Sequence, residues 1–228
     1  MKIFNFILAL LLLTTTSYAQ REQEVKKRPK RADNFVRMHG LRVGLDLTRP
    51  LQHFWVTGDR IGTELTFDIE LMPNFFPVLE TGWETLKLDQ DFLNYSSSGS
   101  YSRIGFNYNF LAADHKEDMD ILFIGMRYGF CFANQRVDSY RLQNYWGDIT
   151  SSFPKQKFNA QWLEFVLGIK GEILPNLFLG WTIRGKLKTF QKDFDLPPVY
   201  FNPGYGKAEN KFNFDFTYTV SYLLPFDF

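Results

Sequence analysis

The chain has 228 residues, enough for one domain of ordinary size, and its 26 basic and 25 acidic residues leave a formal net charge of +1. That balance gives no support to a nucleic-acid role, and the single cysteine, Cys131, excludes an internal disulfide. Aromatics at 18%, with 25 phenylalanines, are high for a soluble globule. The mean hydropathy of −0.24 does not argue against a membrane, because a barrel shows its apolar face at every second residue only.

The amino terminus reads as a secretory signal. Lys2 is followed by an apolar run from Ile3 to Leu13 broken only by Asn5, and Ser17-Tyr18-Ala19 forms a small-residue cleavage site before Gln20. The run falls short of the roughly 20 residues that a membrane helix needs. No cysteine lies near the cut, so no lipid anchor is expected. Without Lys2 the 25 remaining basic residues equal the 25 acidic ones. Residues 20–38 form a basic, aperiodic tail with Arg21, Lys26, Lys27, Arg28, Lys30 and Arg31, which predicts a disordered segment ahead of a barrel domain spanning 39–228.

From Gly40 onward, period-2 segments recur between turn signals. Strand one, Leu41 to Thr48, alternates Leu41, Val43, Leu45 and Leu47 with Arg42, Gly44, Asp46 and Thr48. Strand two, Ile61 to Leu71, sets Leu65, Phe67 and Ile69 against Glu64, Asp68 and Glu70. A Met72-Pro73-Asn74 turn leads to strand three, Val78 to Leu86, with Leu79 and Trp83 opposite Glu80, Gly82 and Glu84. Strand four, Ser100 to Phe110, sets Ile104, Phe106 and Tyr108 against Arg103, Gly105 and Asn107. Strand five, Asp120 to Gln135, sets Ile124, Met126 and Tyr128 against Arg127, Gly129 and Cys131. Strand six, Gln161 to Ile173, sets Leu163, Phe165 and Leu167 against Glu164, Lys170 and Glu172. Leu174-Pro175-Asn176 turns the chain into strand seven, Leu177 to Lys188, where Leu179, Trp181 and Ile183 oppose Arg184 and Lys186.

The last strand, Phe212 to Phe228, is apolar at every even position from Phe212 through Tyr222 to Phe226 and Phe228, with Asp215 on the polar face. Eight strands is the even number expected of an outer-membrane barrel. Links near 72–75, 111–118 and 174–176 are short, while those near 49–60, 87–98, 136–159 and 189–210 are long. With a periplasmic amino terminus, the short turns would be periplasmic and the long loops external. A lipocalin-like barrel would also alternate, with an apolar interior. The charge-free apolar faces, the aromatics towards strand ends (Trp83, Tyr108, Phe110, Trp181) and the loop asymmetry favour the membrane form.

The polar face then lines the lumen. An eight-stranded barrel is just wide enough for its side chains to fill it. Arg42, Asp46, Glu64, Asp68, Glu70, Glu80, Glu84, Arg103, Arg127, Glu164, Lys170, Glu172, Arg184, Lys186 and Asp215 all carry inward parity. Desolvated charges must be paired, so the expectation is a cross-lumen ion-pair network that plugs the barrel, with inward glycines leaving room for arginine side chains.

Candidate chemistry elsewhere is thin. His53 in the first outer link and a serine run (Ser96, Ser97, Ser98, Ser100, Ser102) with Asp89 and Asp91 nearby could compose a His/Ser/Asp site, though such runs are ordinary turns. His39 and His115 fall on the periplasmic side, and Asp68/Glu70 and Glu80/Glu84 read as ion-pair partners rather than an acid/base pair. No metal-ligand spacing occurs, and no cofactor is expected. Exposed aromatics in the outer links (Tyr140, Tyr145, Trp146, Phe153, Tyr200, Phe201, Tyr205) read either as a partner surface or as a packed cap.

With Ser17-Tyr18-Ala19-Gln20, Phe123-Ile124-Gly125-Met126-Arg127-Tyr128-Gly129, Trp162-Leu163-Glu164 and the aromatic last strand, the chain resembles the small eight-stranded outer-membrane barrels of the OmpA/OmpX-like superfamily. More narrowly, it is similar to a Bacteroidetes-type barrel family of unknown function. The resemblance implies a transmembrane up-and-down barrel in the Gram-negative outer membrane. It implies outer-membrane lipid around it, and insertion by the assembly machinery through a terminal signal carried by Tyr222, Phe226 and Phe228. The superfamily includes adhesive, envelope-stabilising and lipid-modifying members. No peptidoglycan-binding domain is expected here. The expected role is non-enzymatic and structural, with a membrane-protein partner. A lipid-modifying enzyme and a narrow porin-like pore are the alternatives.

Overall fold

The computed structural model describes residues 40–55, 59–90, 92–111, 119–142, 149–192, 194–195 and 197–226. The expected signal sequence, the basic tail, His39, His115, Tyr145, Trp146 and Phe228 lie outside the described residues.

The protein is all-β. Eight strands form one closed antiparallel ring: β1 (Gly40–Asp46), β2 (Arg60–Ile69), β3 (Phe75–Gln90), β4 (Leu93–Asn109), β5 (Ile121–Leu142), β6 (Ile149–Leu174), β7 (Leu177–Gln191) and β10 (Phe212–Pro225). Each long strand pairs with its neighbours along the chain, an up-and-down order. The expected closure of the last strand on the first occurs in register from Gly40↔Pro225 to Asp46↔Thr219. Closure leaves no free edge along these pairings, which is how a ring of strands satisfies its backbone without a partner.

The lower end carries two turns with one sequence pattern, Glu70-Leu71-Met72-Pro73-Asn74 and Glu172-Ile173-Leu174-Pro175-Asn176. Asn74 and Asn176 both adopt φ 65°, a left-handed geometry that asparagine tolerates. The Glu70 carboxylate accepts from the Asn74 backbone N–H at 3.0 Å, and Glu172 from that of Asn176 at 2.7 Å. Proline fixes one dihedral, asparagine takes the left-handed one, and the preceding glutamate satisfies its N–H.

At the upper end the links differ from the sequence expectation. Residues 87–98 are a continued hairpin, paired out to Gln90↔Leu93, and β5 and β6 pair as far as Leu142↔Ile149 with register shifts near Gln135, Val137 and Tyr140. Backbone pairing continues there without apolar alternation, so periodicity falls silent while the ladder goes on. The first upper link contains a helix, α1 (Thr48–Trp55), with Pro50 in its first turn, where the missing N–H costs nothing. The last folds back over the lumen as a miniature hairpin, β8 (Phe201–Asn202) with β9 (Gly206–Lys207).

Parity assigns the two faces as the alternation predicts. Leu65, Leu79, Trp83, Ile104, Tyr108, Ile124, Phe165, Leu167, Ile183 and Phe216 point away from the lumen and are exposed, Phe214 reaching 76%. The charged set points inward and is buried, apart from the half-buried Glu172 and Asp215. Among the described residues no helix is long and apolar enough to cross a membrane, which bears only on helices.

Candidate functional site

The lumen is the site, and it is built in layers. Its floor is apolar: Phe76, Ile121, Phe123, Val166, Phe178 and Leu223 pack together. These residues come from the lower ends of β3, β5, β7 and β10 and from the middle of β6. Directly above, the Arg42 guanidinium lies 5.7 Å from the Phe76 ring and 5.1 Å from that of Phe178. Aromatic faces attract a cation, most strongly where water is excluded. Asp68 pairs with Arg42 at 2.6 Å and with Lys170 at 2.6 Å.

The two E-x-x-P-N turns lie in hairpins that share more than the turn. Asp68 stands two residues before one glutamate and Lys170 two before the other, and Phe76 and Phe178 stand two residues after the asparagines. The matched pair Asp68 and Lys170 meets across the lumen, and the matched phenylalanines flank Arg42.

The middle layer is a knot of three arginines and three glutamates. Arg103 lies 2.7 Å from Glu64, 2.9 Å from Glu80 and 2.8 Å from Glu164. Arg184 reaches Glu80 at 2.5 Å and Glu164 at 3.3 Å, and Arg127 reaches Glu80 at 3.4 Å. Neutral donors complete the carboxylates: the Tyr101 hydroxyl donates to Glu64 at 2.7 Å and the Trp162 indole N–H to Glu164 at 2.6 Å. The Arg127 guanidinium also donates to the Asn107 side-chain oxygen at 2.7 Å. Each of these six ions is 2% exposed or less. Burying such charges costs several kcal/mol per ion, so their pairing is a condition of folding rather than a surplus of stability.

Above this knot a cap closes the lumen. Tyr101, Cys131, Ala160, Trp162 and Tyr205 form one buried cluster. Tyr205 and Phe201 come from the folded-back link, Phe201 packing with Leu86, Tyr95 and Val137. The link turns at Asn202-Pro203-Gly204-Tyr205, where the Tyr205 N–H donates to the Asn202 carbonyl at 3.1 Å and Gly204 has φ +77°. Proline second and a left-handed glycine third are the residues a type II turn demands. The Gly204 carbonyl accepts from Arg103 at 3.1 Å and Lys186 at 2.7 Å, while its N–H donates to Glu84 at 2.8 Å. A Cβ on Gly204 would come within 2.5 Å of the Tyr101 ring. The turn is therefore keyed into the lumen by its backbone.

A second, upper ion cluster flanks the cap. Arg49 of α1 pairs with Asp215 at 2.5 Å and Glu84 at 3.3 Å, Lys186 pairs with Asp215 at 2.8 Å, and Arg60 pairs with Glu84. Burial alone would lower the Arg49 pKa, but Glu84 and Asp215 reverse this and raise it above the usual arginine value, so α1 is pinned by a permanent cation.

Of the residues expected in the network, Arg42, Glu64, Asp68, Glu80, Glu84, Arg103, Arg127, Glu164, Lys170, Arg184, Lys186 and Asp215 all join ion pairs within the ring. The other three serve local backbone donors. Glu70 and Glu172 close the lower turns, and Asp46 accepts from the Thr48 N–H at 2.7 Å where the chain enters α1. Arg49 and Arg60 were missed because they lie at aperiodic positions of a link or its edge. The inward glycines do not serve arginines alone. Gly105 and Gly125 face Arg127, but Gly82 makes room for Tyr101, Gly168 for Phe123, and Gly129 for the indole of Trp162.

The partner-surface reading is corrected for Phe201 and Tyr205, which are 4% and 2% exposed and serve as cap; Tyr200 remains exposed. The loop reading of Ser96, Ser97 and Ser98 is also corrected: they lie on β4 with Ser100 and Ser102. Ser97 is buried and donates to the Phe201 carbonyl at 3.2 Å, and Ser98 accepts from Thr85 at 2.7 Å. The His53 side chain lies outside the described residues. Among the described residues no cluster of His, Cys, Asp and Glu could hold a metal ion.

Residues 1–227 match DUF6048, a domain of unknown function. The chain belongs to the DUF6048 family. No curated protein matches it. For this DUF6048 member the lumen geometry is thus the main guide to function. It offers pairing and closure: every long lumen side chain of the middle layer is committed to another, and both ends are stoppered.

Proposed function

We propose that the chain is a non-conducting, non-enzymatic β-barrel of the Gram-negative outer membrane with a structural or interaction role in the envelope, as an accessory subunit of a larger outer-membrane complex. One observation carries this reading: the closed ring is apolar outside and ion-paired, floored and capped inside. Monomeric soluble proteins rarely expose contiguous apolar patches beyond a few hundred Å², whereas hydrocarbon solvates such a surface without cost. A filled lumen supports a role on the outside of the barrel, in its upper hairpins or its lipid-facing wall, rather than transport through it.

In this reading the chain is of the small OmpA/OmpX-like kind, its signal is removed after Ala19, its amino terminus and the E-x-x-P-N turns are periplasmic, and the long β3–β4 and β5–β6 hairpins project outward. The exposed Tyr222 and Phe226, with Phe228, form the signal read by the insertion machinery. The test is fractionation of cells expressing the full chain, with crosslinking in native membranes. Recovery in the outer membrane, crosslinked to a membrane protein, supports the proposal. Recovery as a soluble periplasmic or secreted protein overturns it.

A further inference from the structure

Between the apolar floor and the arginine–glutamate knot the lumen holds a small cavity leaving about 10 Å³ for the centre of a water-sized sphere, room for one small occupant. Gly44 forms part of its wall. Gly44 stands in register between Thr66 and Ser221, and a Cβ there would meet the Ser221 Cβ at 3.1 Å and the Thr66 Cβ at 3.6 Å.

The wall is unusual in its polar atoms. Thr66 Oγ1, Thr219 Oγ1, Ser221 Oγ and Asn107 Nδ2 are buried without a hydrogen-bond partner, on side chains 6%, 5%, 3% and 1% exposed. The Asn107 amide is oriented, because its oxygen accepts from Arg127 at 2.7 Å, so its nitrogen presents donors only. Arg127, Lys170 and Arg184 line the same wall, each ion-paired, Lys170 with Asp68 and the two arginines with Glu80. The single carboxylate there among the described residues, Glu80, is engaged through both oxygens, with Arg184 at 2.5 and 3.2 Å, Arg103 at 2.9 Å and Arg127 at 3.4 Å. The cavity has donors to spare and no carboxylate oxygen to spare. A buried donor left unpaired costs about 1–3 kcal/mol.

We propose that this cavity is a binding site for one small monovalent anion of the halide class, held by the Thr66, Thr219 and Ser221 hydroxyls and the Asn107 amide beside the paired cations Arg127, Lys170 and Arg184. The anion accepts from all four groups at once and enters during folding, since floor and cap close over it. The site depends on the lumen alone and stands whether or not the outer face meets lipid.

The experiment uses the full chain, refolded in detergent at fixed ionic strength in sodium bromide or in sodium gluconate, whose anion is too large for the cavity. Crystals from bromide are measured at the bromine absorption edge. The expected result is an anomalous peak among Thr66, Asn107, Thr219 and Ser221, with an unfolding midpoint at least about 2 °C higher in bromide than in gluconate. Gly44→Ala fills the cavity and Thr219→Val removes one donor; whichever of these variants folds loses that difference. Density for a water without anomalous signal, and equal midpoints in the two salts, would overturn the proposal.

Discussion

Replacing Arg103 with methionine tests whether the lumen is held by charge balance. The substitution keeps most of the aliphatic stem and removes a cation that lies 2.7, 2.9 and 2.8 Å from Glu64, Glu80 and Glu164 and donates to the Gly204 carbonyl at 3.1 Å. Glu80 keeps Arg184 and Arg127. Glu164 keeps Trp162 at 2.6 Å and Arg184 at 3.3 Å, while Glu64 keeps the Tyr101 hydroxyl and only a distant Arg184 at 3.7 Å. Three carboxylates then share two arginines inside a closed ring. Breaking a buried pair in this way costs about 3–5 kcal/mol, since the remaining charge has no water to turn to. Denaturant unfolding of the refolded chain in detergent reads this as a lowered midpoint at unchanged slope. The double variant Arg103→Met/Glu64→Gln restores the balance and should recover a large part of the loss, with a coupling of about 0.5–3 kcal/mol. A single-variant loss under about 1 kcal/mol, the range of exposed pairs, would refute the reasoning. So would a double variant that loses the sum of both.

Other consequences are simpler to read. Leu167, exposed among Ile124, Phe165, Ile169 and Ile183, should tolerate arginine to within about 0.5 kcal/mol if it faces water. In a bilayer, Leu167→Arg should cost about 2–4 kcal/mol, and unfolding from vesicles distinguishes the two. Gly204→Ala forces a Cβ onto a left-handed residue and against the Tyr101 ring, a penalty of at least about 1–2 kcal/mol. Its readout is a lower unfolding midpoint with increased quenching of the fluorescence of Trp162, which is wholly buried against Tyr205. Cys131, 1% exposed, should resist maleimide in the folded chain and react fully in denaturant. Rapid labelling of the folded state would show that the cap is open.

The lower two-thirds of the ring was legible in the sequence because there each strand separates an apolar outside from a polar inside, and a one-residue slip would exchange the two. The upper hairpins were not. Around Ser96–Ser98 and Lys155–Lys157 both faces are polar, so alternation carries no signal although the backbone ladder persists. Parity also found twelve lumen charges that pair, but it could not separate strand ends from strand middles. Glu70 and Glu172 share the inward parity of Glu64 and Glu164, and their carboxylates accept from turn N–H donors at the strand ends. The repeated E-x-x-P-N pattern was the available sign of that difference. The cap was half legible: Pro203-Gly204 announces a turn, but nothing local says that the turn inserts into a ring formed by residues a hundred positions away.

Closure of the lumen is the claim on which the functional proposal rests, and ion flux tests it directly. Planar-bilayer recording of the full chain, inserted from proteoliposomes whose flotation demonstrates bilayer binding, should show no steady conductance above that of the bare bilayer. A large, stable conductance carried by the unmodified chain would contradict a lumen floored by Phe76 and Phe178 and capped by Tyr205.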